Sequence, residues 1–300
     1  MRFGIVILPD QPWSVAGQRW RQAEAYGFDH GWTYDHLGWR DLVDGPWFDS
    51  MATLTAAATV TTTMRLGTLV ASPNFRHPAH FAREITTLDD VSGGRLSVGM
   101  GAGTADFDAT VLGMATLLPR QRADRFEEFV GLLDILLTQG RATWSGSYYT
   151  VAGARSDPGC VQQPRVPFLV AANGPRGMRI AARHGQGWVT TGPRSDDLDD
   201  WWSGVAECSA RFAEIMTTAG GREISRMLHL DSAPVFSLSS VAAFTDAVGR
   251  ATELGFTDVI THWPRESSWY AGKEAVLEAV ATDVLPRFRT SPGAGFDPAD

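Results

Sequence analysis

The sequence predicts one (β/α)8 barrel. Strand signals alternate with helix signals along the chain, eight of each fit within residues 1–290, and no break in composition divides them. Such alternation builds a parallel sheet with crossover helices outside it. Eight units of this size close into a barrel. A doubly wound sheet in two domains uses the same alternation and is the competing fold.

The elements follow in order. Phe3–Leu8 reads as the first strand. A helix from Ser14, in N-cap position, runs to Gly27, a C′ residue. Gly31–Asp35 is the second strand, and Ala-rich Phe48–Thr62 a helix. Arg65–Ser72 is the third strand. Pro78 then opens a helix as its N1 residue, with Phe81, Ile85 and Leu88 on one face. Gly93-Gly94 ends it, and Arg95–Gly101 is the fourth strand.

The middle is less regular. Arg120–Thr138 is a helix with Phe126, Phe129, Leu133 and Leu136 on one face. Residues 140–167 are rich in Gly, Pro and Ser, and a segment this long reads as an insertion between strands four and five, or a lid on the cleft. Regularity returns with strand five at Pro167–Ala172, a helix over Gly174–His184 and strand six at Gly187–Thr191. A helix spans Asp196–Ala219, and strand seven is placed at His229–Phe236. Ser239 or Ser240 caps the next helix, which ends at Gly255. Phe256–His262 is strand eight, and Val276, Val280, Val284 and Phe288 stripe the last helix. Residues 291–300 read as a flexible tail.

Composition narrows the function classes. The 300 residues are 44% hydrophobic and 20% charged, ordinary for a globular chain. Net charge is −8, with 25 Arg and the single Lys273, which argues against general nucleic-acid binding. Cys160 and Cys208 form no metal pattern or disulfide framework and read as reduced and structural. The first apolar run stops at Pro9, and no stretch approaches the ~20 apolar residues of a membrane span. A soluble cytoplasmic protein with a small-molecule partner is expected.

Chemistry concentrates at strand ends, where ligands sit in parallel α/β folds. In His30–Trp39 an apolar and aromatic run ends abruptly in Asp35 and His36. The pair is a site candidate, although an isolated His can simply cap its strand. Gly99, Gly101 and Gly103 follow strand four with G-x-G-x-G spacing, which is not the dinucleotide fingerprint but admits a flat ligand near the strand ends. After strand five, Asn173-Gly174-Pro175 turns directly into a helix, whose free N–H groups favour a phosphate; Arg176 or Arg179 adds charge. A plain βα turn is the simpler reading. The seven His residues offer no metal site, His184 and His229 read as structural, and no serine or cysteine nucleophile motif occurs. A redox cofactor is then the source of chemistry.

Taken in order, these segments resemble the luciferase-like flavin and deazaflavin oxidoreductases, in particular the coenzyme F420 branch. The marks are FGIVILP, WTYDH, RLGTLVASPNFRHP, DDVSGGRLSVGMGAG, PFLVAANGP and GQGWVTTG, across residues 1 to about 288. The resemblance implies a barrel, a homodimer and a cofactor ring on the barrel mouth. It implies His36 as the catalytic histidine and Asp35 beside the cofactor. Leu69, Val70 and Ala71 match a bulged strand with a non-prolyl cis peptide behind the central ring. Asn173, Gly174 and Pro175 match the phosphate turn, Thr190 and Thr191 the hydroxyl-bearing tip beside it. Gly101 and Phe107, the latter in place of a polar residue of the branch, are expected against the cofactor. Trp39, Phe75 and Trp263 are expected to make an apolar substrate pocket, although Trp39 lies one residue from the family's active-site Trp. Relatives that oxidise glucose 6-phosphate carry a Glu where this chain has Thr104 and a phosphate-binding Lys where it has Pro193, so a sugar phosphate is not expected. The reading is hydride transfer between F420 and an apolar organic substrate. The alternatives are an FMN-dependent two-component monooxygenase and a non-catalytic cofactor-binding barrel.

Overall fold

The computed structural model describes residues 1–105 and 107–289. It is a (β/α)8 barrel closed by eight parallel strands in the order β1-β10-β9-β8-β7-β4-β3-β2. The strands are β1 (Arg2–Val6), β2 (His30–Thr33), β3 (Arg65–Ala71), β4 (Leu96–Met100), β7 (Phe168–Ala171), β8 (Gly187–Thr190), β9 (Ser225–His229) and β10 (Asp258–His262). Between them run α1 (Trp13–Ala25), α2 (Ser50–Ala58), α3 (Pro78–Val91), α4 (Phe107–Thr110), α5 (Pro119–Thr138), α6 (Pro175–His184), α7 (Leu198–Thr218) and α8 (Val241–Glu253). Helices α9 (Glu274–Asp283) and α10 (Leu285–Phe288) follow the last strand. The tail expected at 291–300 lies outside the described residues.

Two apolar layers hold the barrel. Phe81, Ile85 and Leu88 of α3 and Phe126, Phe129, Leu133 and Leu136 of α5 are buried between helices and strands, on the faces their spacing predicts. Each such side chain contributes about 1.5–3 kcal/mol by leaving water. A second layer fills the barrel itself with Val6, Trp32, Leu69, Leu169, Val189, Met227 and Ile260. Its lower end is polar. Arg2 donates twice to Asp258 at 2.8 Å, and His30, fixed through Nδ1 by the Trp32 indole at 2.6 Å, meets the same carboxylate at 3.0 Å. The pairing locks β10 onto β1 and β2.

Helix ends mostly obey local chemistry. Asp49, Asp197 and Ser240 cap α2, α7 and α8 with their side chains, and Pro78 is the N1 residue of α3. Ser14 does not cap α1, which starts at Trp13 behind Pro12. The last helix breaks at Val284 into α9 and α10, because Pro286 lacks the N–H that would continue the ladder.

Two expectations need correction. The 140–167 segment is a folded insertion but no lid. It forms an antiparallel hairpin, β5 (Arg141–Ser145) and β6 (Thr150–Arg155), docked on α5. The Glu128 carboxylate on α5 accepts from the Trp144 indole at 3.1 Å and from the backbone N–H groups of Ser147, Tyr148 and Tyr149 at 3.0 Å. Strand seven is Ser225–His229, so the expected His229–Phe236 strand is instead the loop beyond its tip. Pro234 lies in that loop, and a proline without a donor has no place in a central strand.

Candidate functional site

The corrected register puts His229 at a strand tip rather than at a strand start. That places it, with His36 from β2, around one large cavity at the C-terminal mouth of the barrel. The cavity holds about 750 Å³, within the range of small-molecule sites. A second cavity of about 150 Å³ lies at the opposite end, around Arg2, His30 and Asp258. It is lined by the ion cluster that closes the barrel and is a fifth of the size, so the mouth cavity is the better candidate.

One wall is apolar. Leu69 and Val70 line it at a register shift in β3, and their peptide bond is cis. The bulge expected from the resemblance is therefore present. Gly101 stands just behind it, where an added Cβ would lie 2.8 Å from Val70 Cγ2. Ala71 faces the helix layer and is fully buried there, away from the cavity.

The strand-two tip divides its two polar residues. His36 lines the cavity, and its Nδ1 pairs with the Asp108 carboxylate of α4. The other Asp108 oxygen accepts the Leu37 N–H at 2.7 Å. Asp108 is buried, and the double contact fixes both the ring and the tip that carries it. Asp35 points the other way. Its carboxylate takes two bonds from Arg76, at 2.6 and 3.1 Å, and one from Ser50 at 2.5 Å. Arg76 is held in turn by Glu84 at 3.0 Å. Asp35 is thus a buried structural anion, not a neighbour of the cavity.

The phosphate turn sits on the rim. Asn173 lines the cavity, but its amide is fully engaged: Nδ2 donates to Thr191 Oγ1 and Gly192 O, and Oδ1 accepts from Thr190 Oγ1 at 2.8 Å. The amide ties the β7 and β8 tips together and buries Thr190 below them, while Thr191 reaches the cavity. A Cβ added to Gly174 would meet nothing within 4 Å, so the space over the first turn of α6, which opens with Pro175, is open. Arg176 is occupied by Asp124 at 2.5 Å and Glu127 at 2.7 Å, and adds no free charge.

Of the expected aromatic pocket, Trp39 alone lines the cavity. Phe75 lies under the Arg76 guanidinium. Phe107 is exposed, with its ring over Gly38. Trp263 belongs to the outer layer, where it stacks on Tyr26 and donates to Glu274 at 2.9 Å. Its side chain points out of the barrel because it follows inward-facing His262 by one residue. The pocket wall comes instead from Trp269 and Tyr270. Trp39 stacks on Tyr270, and Arg40 lies between the Trp39 and Trp269 indoles at 4.5 and 4.1 Å. Among the described residues, Arg40, Ser268 and Tyr270 are the non-glycine residues with positive φ; Arg40 and Tyr270 line the cavity, and Ser268 precedes Trp269, which also lines it. Such backbone concentrates at functional sites.

The floor carries a buried polar chain that sequence reasoning missed. Tyr34 and Tyr270 meet through their hydroxyls at 3.1 Å, Tyr34 meets His262 Nε2 at 2.9 Å, and His262 Nδ1 meets Asp231 at 2.9 Å. Asp231 also accepts the backbone N–H groups of His262 and Ser237 at 2.6 and 2.9 Å. Burial would raise the Asp231 carboxyl, but the His262 hydrogen bond and the two nearby imidazoles bring it below its usual value. His229 pairs with Ser232 through Nδ1 at 2.8 Å and sets its ring edge against His262; its Nε2 has no partner among the described residues. Burial and the neighbouring His262 lower its pKa to about 3. The misplaced seventh strand hid His229 and Asp231, and the alternation of Val259-Ile260-Thr261-His262 was the signal for His262.

The luciferase-like monooxygenase family profile matches residues 1–269. An uncharacterized protein of Mycobacterium tuberculosis is 29% identical over 285 residues, covering 89% of this chain and 94% of that protein. The F420-dependent glucose-6-phosphate dehydrogenase of Kineococcus radiotolerans is 36% identical over 181 residues, 59% of this chain and 52% of its own. Among solved structures, the coenzyme F420-dependent tetrahydromethanopterin reductase of Methanopyrus kandleri superposes with a TM-score of 0.75 at 20% identity, over 96% of this chain and 99% of that one.

Proposed function

Because the chain belongs to the luciferase-like monooxygenase family, we propose that it is an oxidoreductase moving hydride between the deazaflavin coenzyme F420 and an organic substrate with an apolar body. The observation that carries this reading is the His36–Asp108 pair at a mouth cavity backed by the Leu69–Val70 bulge. F420-dependent relatives support the choice of cofactor.

The residues present fit the group. The cavity is large enough for a tricyclic ring with its neighbour, its back wall is apolar, and the space above Gly174 is open. Bound there, the deazaflavin supplies a two-electron, hydride-exchanging carbon. Leu69 and Val70 support the flat ring. The first-turn N–H groups of α6 and the Thr191 hydroxyl hold the phosphate. Trp39, Trp269 and Tyr270 cover the rim and exclude water. Asp108 accepts a hydrogen bond from the Nδ1–H of His36, which leaves Nε2 to hold or release the proton that accompanies hydride transfer.

The family is named for monooxygenases, which gives an FMN-dependent two-component monooxygenase as a second reading on the same residues. Equilibrium titration with both cofactors separates them. Tighter binding of F420 is expected; tighter binding of FMN moves the assignment to the monooxygenase, and binding of neither removes both. The homodimer that the resemblance implies and the cytoplasmic placement expected from the sequence belong to the same proposal, and light scattering checks the first. No described helix is long and apolar enough to cross a membrane.

A further inference from the structure

The polar chain on the cavity floor has a direction. Asp231 is ionised and accepts only, so the nitrogen facing it, His262 Nδ1, carries the proton. Neutral His262 then has a lone pair at Nε2, and the Tyr34 hydroxyl donates to it. With its proton committed, the Tyr34 oxygen accepts from the Tyr270 hydroxyl. The Tyr270 oxygen, on the cavity wall, is left as the open accepting end. Every donor in the chain points inward, toward a buried Asp–His pair. A carboxylate so deep in a barrel, holding one face of an imidazole whose other nitrogen leads back to the cavity, is more than packing requires.

We propose that Tyr270, Tyr34 and His262 form a second proton route, which takes the proton from a hydroxyl group of the substrate, with Asp231 as its positioning residue. The proposal deepens the reading above and rests on it: the substrate is an alcohol, oxidised to a carbonyl compound. The C–H bond of the carbinol carbon breaks, and its electron pair leaves as hydride to the deazaflavin, the two-electron oxidant. The O–H proton passes to the Tyr270 oxygen as the Tyr270 proton passes to Tyr34 and the Tyr34 proton to His262 Nε2. His262 ends as an imidazolium against Asp231. Carbonyl reduction runs the same transfers in reverse.

The groups around His262 hold it in the starting state. Its neighbours are Asp231 at Nδ1, Tyr34 at Nε2, the His229 ring edge on one side, the stacked Tyr270 ring at 3.5 Å and Arg40 beyond. Burial lowers its pKa, Asp231 opposing, so it is neutral and accepting at neutral pH. Burial raises both phenols, Tyr270 to about 12, so both remain protonated donors. His36 lies beside this route, its ring edge-on to Tyr34 at 5.8 Å, but its hydrogen bond runs the other way, through Asp108 to α4, whereas Tyr34 bonds through His262 to β10.

The test has two arms. Histidine-labelled protein without cofactor is read by ¹⁵N NMR. A His262 protonated at Nδ1 is expected, with an Nε2 resonance that moves in Tyr34→Phe; protonation at Nε2 overturns the route. The second arm is single-turnover reduction of F420 by a panel of aliphatic and benzylic secondary alcohols, in light and heavy water. Tyr34→Phe and Tyr270→Phe, each lacking one oxygen, are expected to lower the rate about 10²-fold with F420 affinity within about twofold. The solvent isotope effect should change in both variants, which a packing role would not cause. Wild-type rates in both overturn the proposal. Tight F420 binding with no alcohol oxidised also overturns it while leaving the hydride-transfer reading intact. Failure to bind F420 at all removes that reading, and with it the substrate class.

Discussion

His36 and Asp108 meet across 72 residues of chain, an imidazole at the tip of β2 and a buried carboxylate in the first turn of α4. The contact fixes which ring nitrogen faces the cavity. His36→Ala should therefore lower kcat by ~10²–10⁴, with cofactor affinity within a few-fold. Asp108→Asn keeps the shape but presents an amide that can turn its N–H to Nδ1. It should lower kcat about 10²-fold and shift the pH profile of the hydride step. An unshifted profile at wild-type rate would reduce Asp108 to a tether for the Leu37 N–H.

Gly174 leads into α6 under open space. Gly174→Asp puts a carboxylate where a phosphate is expected, and should weaken F420 binding by at least ~2 kcal/mol, the scale of one charge-assisted contact. Binding is read by fluorescence titration. A folded variant with unchanged affinity places the phosphate elsewhere.

Asp35 serves the fold. Its carboxylate answers a buried Arg76 with two hydrogen bonds, and removing it leaves that guanidinium to Glu84 and Asp49 alone. Asp35→Ala should cost about 2 kcal/mol in urea unfolding, the scale of a lost charge-assisted hydrogen bond. If stability were intact and only cofactor binding lost, the family role of this acid would be restored.

His229 makes stability depend on pH. The folded imidazole stays neutral down to about pH 3, held there by burial and by His262. The unfolded chain protonates this ring near pH 6.5. Between those values the unfolded state binds more protons, so stability falls as the pH drops, by up to ~1.4 kcal/mol per pH unit. Asp231, whose carboxyl is depressed, adds a loss below its unfolded pKa of 3.8, outside most of that window. In His229→Gln the slope between about pH 6 and 4.5 should flatten. An unchanged slope would mean that His229 is charged in the folded protein.

Most of the barrel was legible because its signals are local. Helix α3 shows its Pro78 start and its Phe81–Leu88 face in sequence, and the β4 and β8 strands end in glycine or threonine turns where expected. His36, Trp39, Leu69, Val70, Asn173 and Thr191 converge on the cavity. What sequence did not show is set by partners far along the chain. Asp35 and His36 are neighbours, yet Arg76 draws one down and Asp108 draws the other to the rim. Trp263 looks like a strand-end aromatic, but the parity of β10 turns it outward while His262 faces in. In sequence the hairpin reads as an insertion or a lid, because nothing local reveals that Glu128, on an earlier helix, gathers its turn.

The barrel closes through β1 and β10, with Arg2 beside Asp258 and Val6 beside His262. Strands whose paired residues lie 256 positions apart are thus direct neighbours, and their pairing gives the fold a large contact order. Until β10 leaves the ribosome, β1 is an open edge, Arg2 and His30 lack their common anion, and Tyr34 lacks the imidazole it bonds. The nascent chain therefore carries β1 unpaired on one side while the intervening elements are made, and an open strand edge of this kind is exposed to aggregation.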